Sequence, residues 1–122
     1  MNYGNFKLAT LSPFRFPGGK GKLLPILINH IKPTDKFIDV FVGGGSVLLE
    51  VAKNPKIKLY ANDKDYWIYC FWNTIIDIDK LNQLLTLMKQ KITLKLFYKL
   101  RDTKTKDKIE CAYRAIFFNS RF

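Results

Sequence analysis

The chain has 122 residues, 48% of them hydrophobic and 15% aromatic, and a net charge of +11. This is the material of one small packed domain, which argues against a disordered polymer. No apolar run reaches the roughly 18 residues of a membrane helix, and Cys70, Cys111 and the single His30 argue against a zinc site or a disulfide framework.

The opening MNYGNFKLATLSPF lacks a signal-type apolar stretch, so a cytoplasmic protein is expected. Residues 1–15 read as an extended arm, and Phe16-Pro17-Gly18-Gly19-Lys20-Gly21 as a turn. KLLPILINHI, residues 22–31, reads as a helix with Pro25 in its first turn and Pro33 beyond its end. FIDVFV, residues 37–42, is short, apolar and β-branched, which predicts a buried parallel strand. Gly43-Gly44-Gly45 breaks it, SVLLEVAK at 46–53 has helix-forming content, and IKLYA at 57–61 predicts a second strand. Residues 65–76 are apolar almost all round and predict a buried helix. Three more helices are expected over 79–91, 93–101 and 107–118, the second with Thr93 as its N-cap. The stripe Ile109, Ala112, Tyr113, Ile116 and Phe117 reads as core. Two parallel strands do not complete a domain, so apolar groups on this sheet and on the helix at 65–76 are expected to lack partners within the chain.

Three short motifs carry chemistry. The first, Asp39-Val40-Phe41-Val42-Gly43-Gly44-Gly45-Ser46, is a strand, a glycine turn and a helix. Glycines at a strand end let backbone approach a ligand closely, and ligands of open α/β sheets bind beyond the carboxyl ends of the strands. Leu48 occupies the third glycine position of a dinucleotide fingerprint, so that fingerprint does not fit. A glycine triplet alone fits a plain tight turn better than a ligand loop. The second motif ends in Asp63, 20 residues after Gly43. An acid there accepts hydrogen bonds from ribose hydroxyls in nucleoside-binding α/β proteins. It could instead cap the next helix, but Asp65 can serve as that cap. The third motif is Phe16-Pro17-Gly18-Gly19-Lys20, an aromatic and a lysine fixed about a turn. The lysine can pair with a carboxylate, and the aromatic face can pack on a nucleobase or a sulfonium. No Walker-type loop is present.

Taken in order and spacing, Phe16-Pro17-Gly18-Gly19-Lys20, D-x-F-x-G-G-G-S-V from Asp39 and Ala61-Asn62-Asp63 resemble the Dam-type, D12 class adenine-N6 DNA methyltransferases. The resemblance is clear from residue 13 to about 76 and weaker beyond, where YRAIFFNSRF is similar to the segment leading into that family's target-recognition region. It implies an α/β, partial Rossmann-like fold that binds S-adenosylmethionine, followed by a helical segment. The cofactor-binding part would span residues 1–76 and the helical segment 77–122. The roles implied for cofactor binding fall on Phe16, Lys20, Asp39, Gly43, Gly45 and Asp63. Many relatives have Trp or Tyr at the position of Phe16, which keeps the π-face without their donor.

The resemblance implies double-stranded DNA as partner, no membrane and no metal, and leaves a restriction endonuclease partner undecided. It also calls for a catalytic Asp-Pro-Pro-Tyr, and none of the five prolines is adjacent to another. A fragment lacking the catalytic motif is therefore expected, inactive by itself. The alternatives are a non-catalytic remnant that binds cofactor or DNA, and a basic nucleic-acid-binding domain. Residues 1–61 carry nine cations against three acids, and residues 62–122 twelve against seven. Such a charge fits a polyanion partner and a lysine-rich composition alike. If DNA is the partner, a basic face drawing on Arg15, Lys22, Arg114 and Arg121 is expected beside the cofactor cleft.

Overall fold

The computed structural model describes residues 24–31 and 35–119. Its elements are α1 (Leu24–His30), β1 (Lys36–Asp39), α2 (Ser46–Val51), β2 (Lys58–Ala61), α3 (Tyr66–Ile75), α4 (Ile78–Met88), α5 (Leu94–Asp102) and α6 (Lys108–Asn119). They form two compact units, divided between Lys64 and Asp65. No described helix is long and apolar enough to cross a membrane, and no described group of His, Cys, Asp and Glu could hold a metal.

The first unit is a β-α-β unit with α1 added. Strands β1 and β2 pair in parallel, with Phe37 opposite Leu59 and Ile38 opposite Tyr60. Because side chains alternate along a strand, Phe37 and Leu59 share one face and Ile38 and Tyr60 the other. The first face packs on Val47 and Val51 of α2 and on Ile57, and Leu27 and Ile31 pack against the same cluster. The second face is open, with Ile38 66% and Tyr60 51% exposed. Strand β1 stops at Asp39, short of the predicted Val42. The Asp39 carboxylate accepts the Phe41 N–H at 3.2 Å, and this local bond turns the chain. Pairing resumes at once, since Val42 N–H donates to the Asn62 carbonyl at 2.9 Å.

The second unit is helical. Helices α3, α4 and α5 start on Asp65, Asp77 and Thr93, whose side chains accept the N–H groups of their own first turns. The centre of this unit is α6, not α3. Six successive residues of α6, Cys111 to Ile116, are buried, and α6 packs on both α3 and α4. Helix α3 buries only Ile68, Cys70, Phe71 and Thr74, so its all-round apolar character overstates its burial. Phe118 closes the aromatic end of the unit, 5.8 Å from the Trp67 ring and 5.6 Å from the Phe97 ring. Cys70 and Cys111 are free and buried, and burial pushes both thiols up. They are packing residues, because a reactive thiol needs a lowered pKa and access.

Among the described residues, one buried hydroxyl, Thr74 Oγ1, has no hydrogen-bond partner. An unsatisfied buried polar group costs about 1–3 kcal/mol. Thr74→Val keeps the branched shape and removes the hydroxyl, so it should stabilise the protein by about 1 kcal/mol. A urea unfolding midpoint that stays the same or falls would show that the hydroxyl is satisfied.

Candidate functional site: the glycine turn and Asp63

The candidate site lies at the carboxyl ends of β1 and β2. Beyond β1 the chain turns through Val40 and Phe41, is pinned back to Asn62 at Val42, and enters the glycines. Gly43 has φ +49° and Gly45 φ +76°, both in the left-handed region that a side chain disfavours. Gly45 then serves as the N-cap residue of α2 with no side-chain cap, its N–H donating to the Val42 carbonyl at 2.8 Å. Here the glycines answer a conformational need. At Gly43 there is also space, because a Cβ placed there would meet nothing within 4 Å.

Asp63 follows β2 by two residues and reaches across to this turn. The Gly43 N–H donates to Asp63 Oδ2 at 2.9 Å, joining two motifs 20 residues apart in sequence. A carboxylate can accept up to about four hydrogen bonds, so the Gly43 bond does not by itself exhaust its capacity. Asp65 caps α3 by accepting the Trp67 N–H at 2.9 Å, so Asp63 is not needed as a cap. Asp39 is buried at the end of β1, where its carboxylate holds the Phe41 turn. Four of the six residues expected to bind cofactor, Asp39, Gly43, Gly45 and Asp63, therefore stand at one end of one sheet. Phe16 and Lys20 lie outside the described residues, as do Arg15, Lys22 and Arg121.

Arg114 does not belong to a basic face. It is buried in α6, and its guanidinium donates to the Leu100 carbonyl at 3.2 Å and to Thr103 Oγ1 at 2.9 Å. It secures the C-terminal end of α5, where a cation complements the exposed carbonyls of the helix. In the first unit Glu50 is the residue the sequence pattern does not single out. It is 2% exposed on α2 and pairs with Lys53 at 2.9 Å. The available signal is an acid inside the apolar turn VLLEV, with a lysine three residues on.

No curated protein matches the chain. The family model of the D12 class N6 adenine-specific DNA methyltransferases matches residues 16–121, which take in the Gly43 turn, Asp63 and the described helical unit. A match over nearly the whole sequence, carrying the same glycine turn and acid that meet at the sheet end, makes the chain a member of the D12 class N6 adenine-specific DNA methyltransferase family.

Proposed function

We propose that the Gly43–Asp63 site binds S-adenosylmethionine for methyl transfer to adenine N6 in double-stranded DNA. The observation that carries this reading is the 2.9 Å bond between the Gly43 N–H and the Asp63 carboxylate, at the strand ends where open α/β sheets take ligands. The residues fit the cofactor. Asp63 can accept the ribose hydroxyls, and the turn at Gly43–Gly45 lets its amino-acid end approach backbone. Lys20 would pair with its carboxylate, and Phe16 would lay a π-face against it. Asp39 acts one step back, by holding the turn that delivers the glycines.

When bound, the cofactor supplies an electrophilic methyl group on sulfur. The residues of this chain act by positioning, since transfer needs nucleophile, methyl and sulfur in line. The adenine amino group is a poor nucleophile and needs acceptors for its hydrogens and an aromatic on which to stack. The Asp-Pro-Pro-Tyr that would supply both is absent from the 122 residues. We infer that this chain alone binds cofactor weakly and transfers no methyl group. The open Ile38–Tyr60 face supports a reading of the β-α-β unit as part of a larger, Rossmann-like sheet.

Calorimetric titration with S-adenosylmethionine tests the cofactor site. Gly43→Ala should cost only about 1 kcal/mol of folding stability, for a side chain at positive φ. It should weaken cofactor binding by more than tenfold, because its methyl group would stand in the ligand's approach. Undiminished binding in Gly43→Ala would place the cofactor elsewhere. Transfer of labelled methyl to duplex DNA by the parent chain alone would show that other residues run the chemistry.

A further inference from the structure

The positive charge of the helical unit is segregated. Residues 91–108 hold seven cations, Lys91, Lys95, Lys99, Arg101, Lys104, Lys106 and Lys108, against two acids, Asp102 and Asp107. The rest of residues 62–122 holds five cations and five acids, so the whole excess of +5 lies in this one segment. A composition merely rich in lysine would spread its charge.

All seven cations are exposed, and both acids are engaged locally. Asp102 accepts from the Arg101 guanidinium at 2.7 and 3.1 Å, and Asp107 accepts the Glu110 N–H at 2.9 Å. The Arg101 guanidinium also holds the Asp102 carboxyl below the usual carboxylate range. It lies 4.8 Å from the centre of the half-exposed Tyr98 ring, so cation and aromatic form a cation–π pair on α5. Lys91, Lys95, Lys99, Lys104 and Lys106 form no ion pair with any described acid. On α5, Lys95 and Lys99 stand one turn apart on the side away from Leu96, Phe97 and Leu100, and Lys104 and Lys106 follow on the exposed connection between α5 and α6.

Two polyanions could meet such a row, a membrane surface and a nucleic acid. An interfacial helix must lay its apolar face into lipid. In α5 the middle of that face is engaged within the unit, since Phe97 packs edge-on against Phe118 at 5.6 Å, while Leu94 at its start stays exposed. A duplex needs no apolar face. A length equal to α5, about 13 Å, carries roughly eight phosphates at one per about 1.7 Å.

We propose that α5 and the basic connection following it, from Lys91 to Lys108, form a surface that tracks the phosphate backbone of duplex DNA, with Lys95, Lys99 and Lys104 as principal contacts. This rests on the reading that the chain acts on DNA, and it assigns the contact to a surface within the helical unit alone.

The test compares the full chain carrying Lys95→Gln, Lys99→Gln and Lys104→Gln with one carrying Lys56→Gln, Lys58→Gln and Lys89→Gln, which loses the same charge from other exposed sites. Binding of a random-sequence duplex is measured against salt concentration. Each lysine withdrawn from a phosphate lowers the salt slope by about 0.9, so the first variant should lose roughly two to three units of slope and the second none. Equal loss in both variants, or loss in the second alone, overturns the proposal. So does failure of the parent to bind duplex at low salt, or parent binding to phosphatidylserine vesicles that the first variant abolishes while its duplex binding stands. The same proteins are titrated with S-adenosylmethionine. A parent that binds duplex through these lysines but takes no cofactor sinks the cofactor reading and leaves the surface standing.

Discussion

Asp63→Ala should abolish binding of S-adenosylmethionine and loosen the glycine turn together. Two consequences of one substitution need separating, because the carboxylate is bonded to Gly43 before any ligand arrives. Charge-assisted hydrogen bonds contribute about 1.5–3 kcal/mol each, so loss of a charged acceptor for the ribose hydroxyls should cost at least tenfold in affinity. Loss of the Gly43 bond should cost a further ~1 kcal/mol of folding stability. Asp63→Asn divides the two effects. Its carbonyl oxygen can still accept the Gly43 N–H, so the turn and the stability should survive. Its neutral amide should still bind ribose far more weakly than the carboxylate. Calorimetric titration paired with urea unfolding distinguishes the outcomes. If Asp63→Asn binds cofactor as tightly as the parent while Asp63→Ala does not, Asp63 serves to hold the turn. If both bind as the parent does, the site assignment is wrong.

That Asp63 meets the glycines is legible in the sequence because its cues are local and cumulative. A short apolar strand, three glycines and a helix former make one β-α unit, and a second strand in parallel returns the chain to the same sheet end. The acid follows that strand with a spare cap residue, Asp65, two positions on. Less legible is where β1 stops. Its β-branched content runs to Val42, but the Asp39 side chain competes for the Phe41 N–H and wins. Pattern alone cannot show which backbone donor a nearby carboxylate takes. The centre of the helical unit is hidden for a different reason. Periodicity reports how apolar a helix is on each face, and not how many neighbours will cover it. Helix α3 looks more apolar than α6, yet α6 is the element packed between others, burying Arg114 with its apolar neighbours.

Arg114 is therefore expected to act on stability and not on DNA. Its guanidinium holds the Leu100 carbonyl and Thr103 Oγ1, and Thr103 in turn donates to the Lys99 carbonyl at 2.6 Å. The last turn of α5 is thus tied to α6 through one buried cation. Arg114→Met fills most of the volume and removes both donors. Two opposing effects follow. A buried charge is expensive to desolvate, so its removal recovers part of the loss. Against this, the Leu100 carbonyl loses its side-chain donor, and the C-terminal end of α5 loses a complementary charge. The second effect should win, because bonds from a charged donor contribute about 1.5–3 kcal/mol each and two are removed. The net loss should be about 2 kcal/mol, or roughly 10 °C in melting temperature for a unit of this size. Arg114→Lys should recover part of it by reaching one of the two acceptors. In folded protein, duplex binding by Arg114→Met should keep the parent's salt slope. If melting is unchanged and the slope falls by about one unit, then Arg114 faces DNA, and its two hydrogen bonds to the end of α5 do not hold the helical unit together.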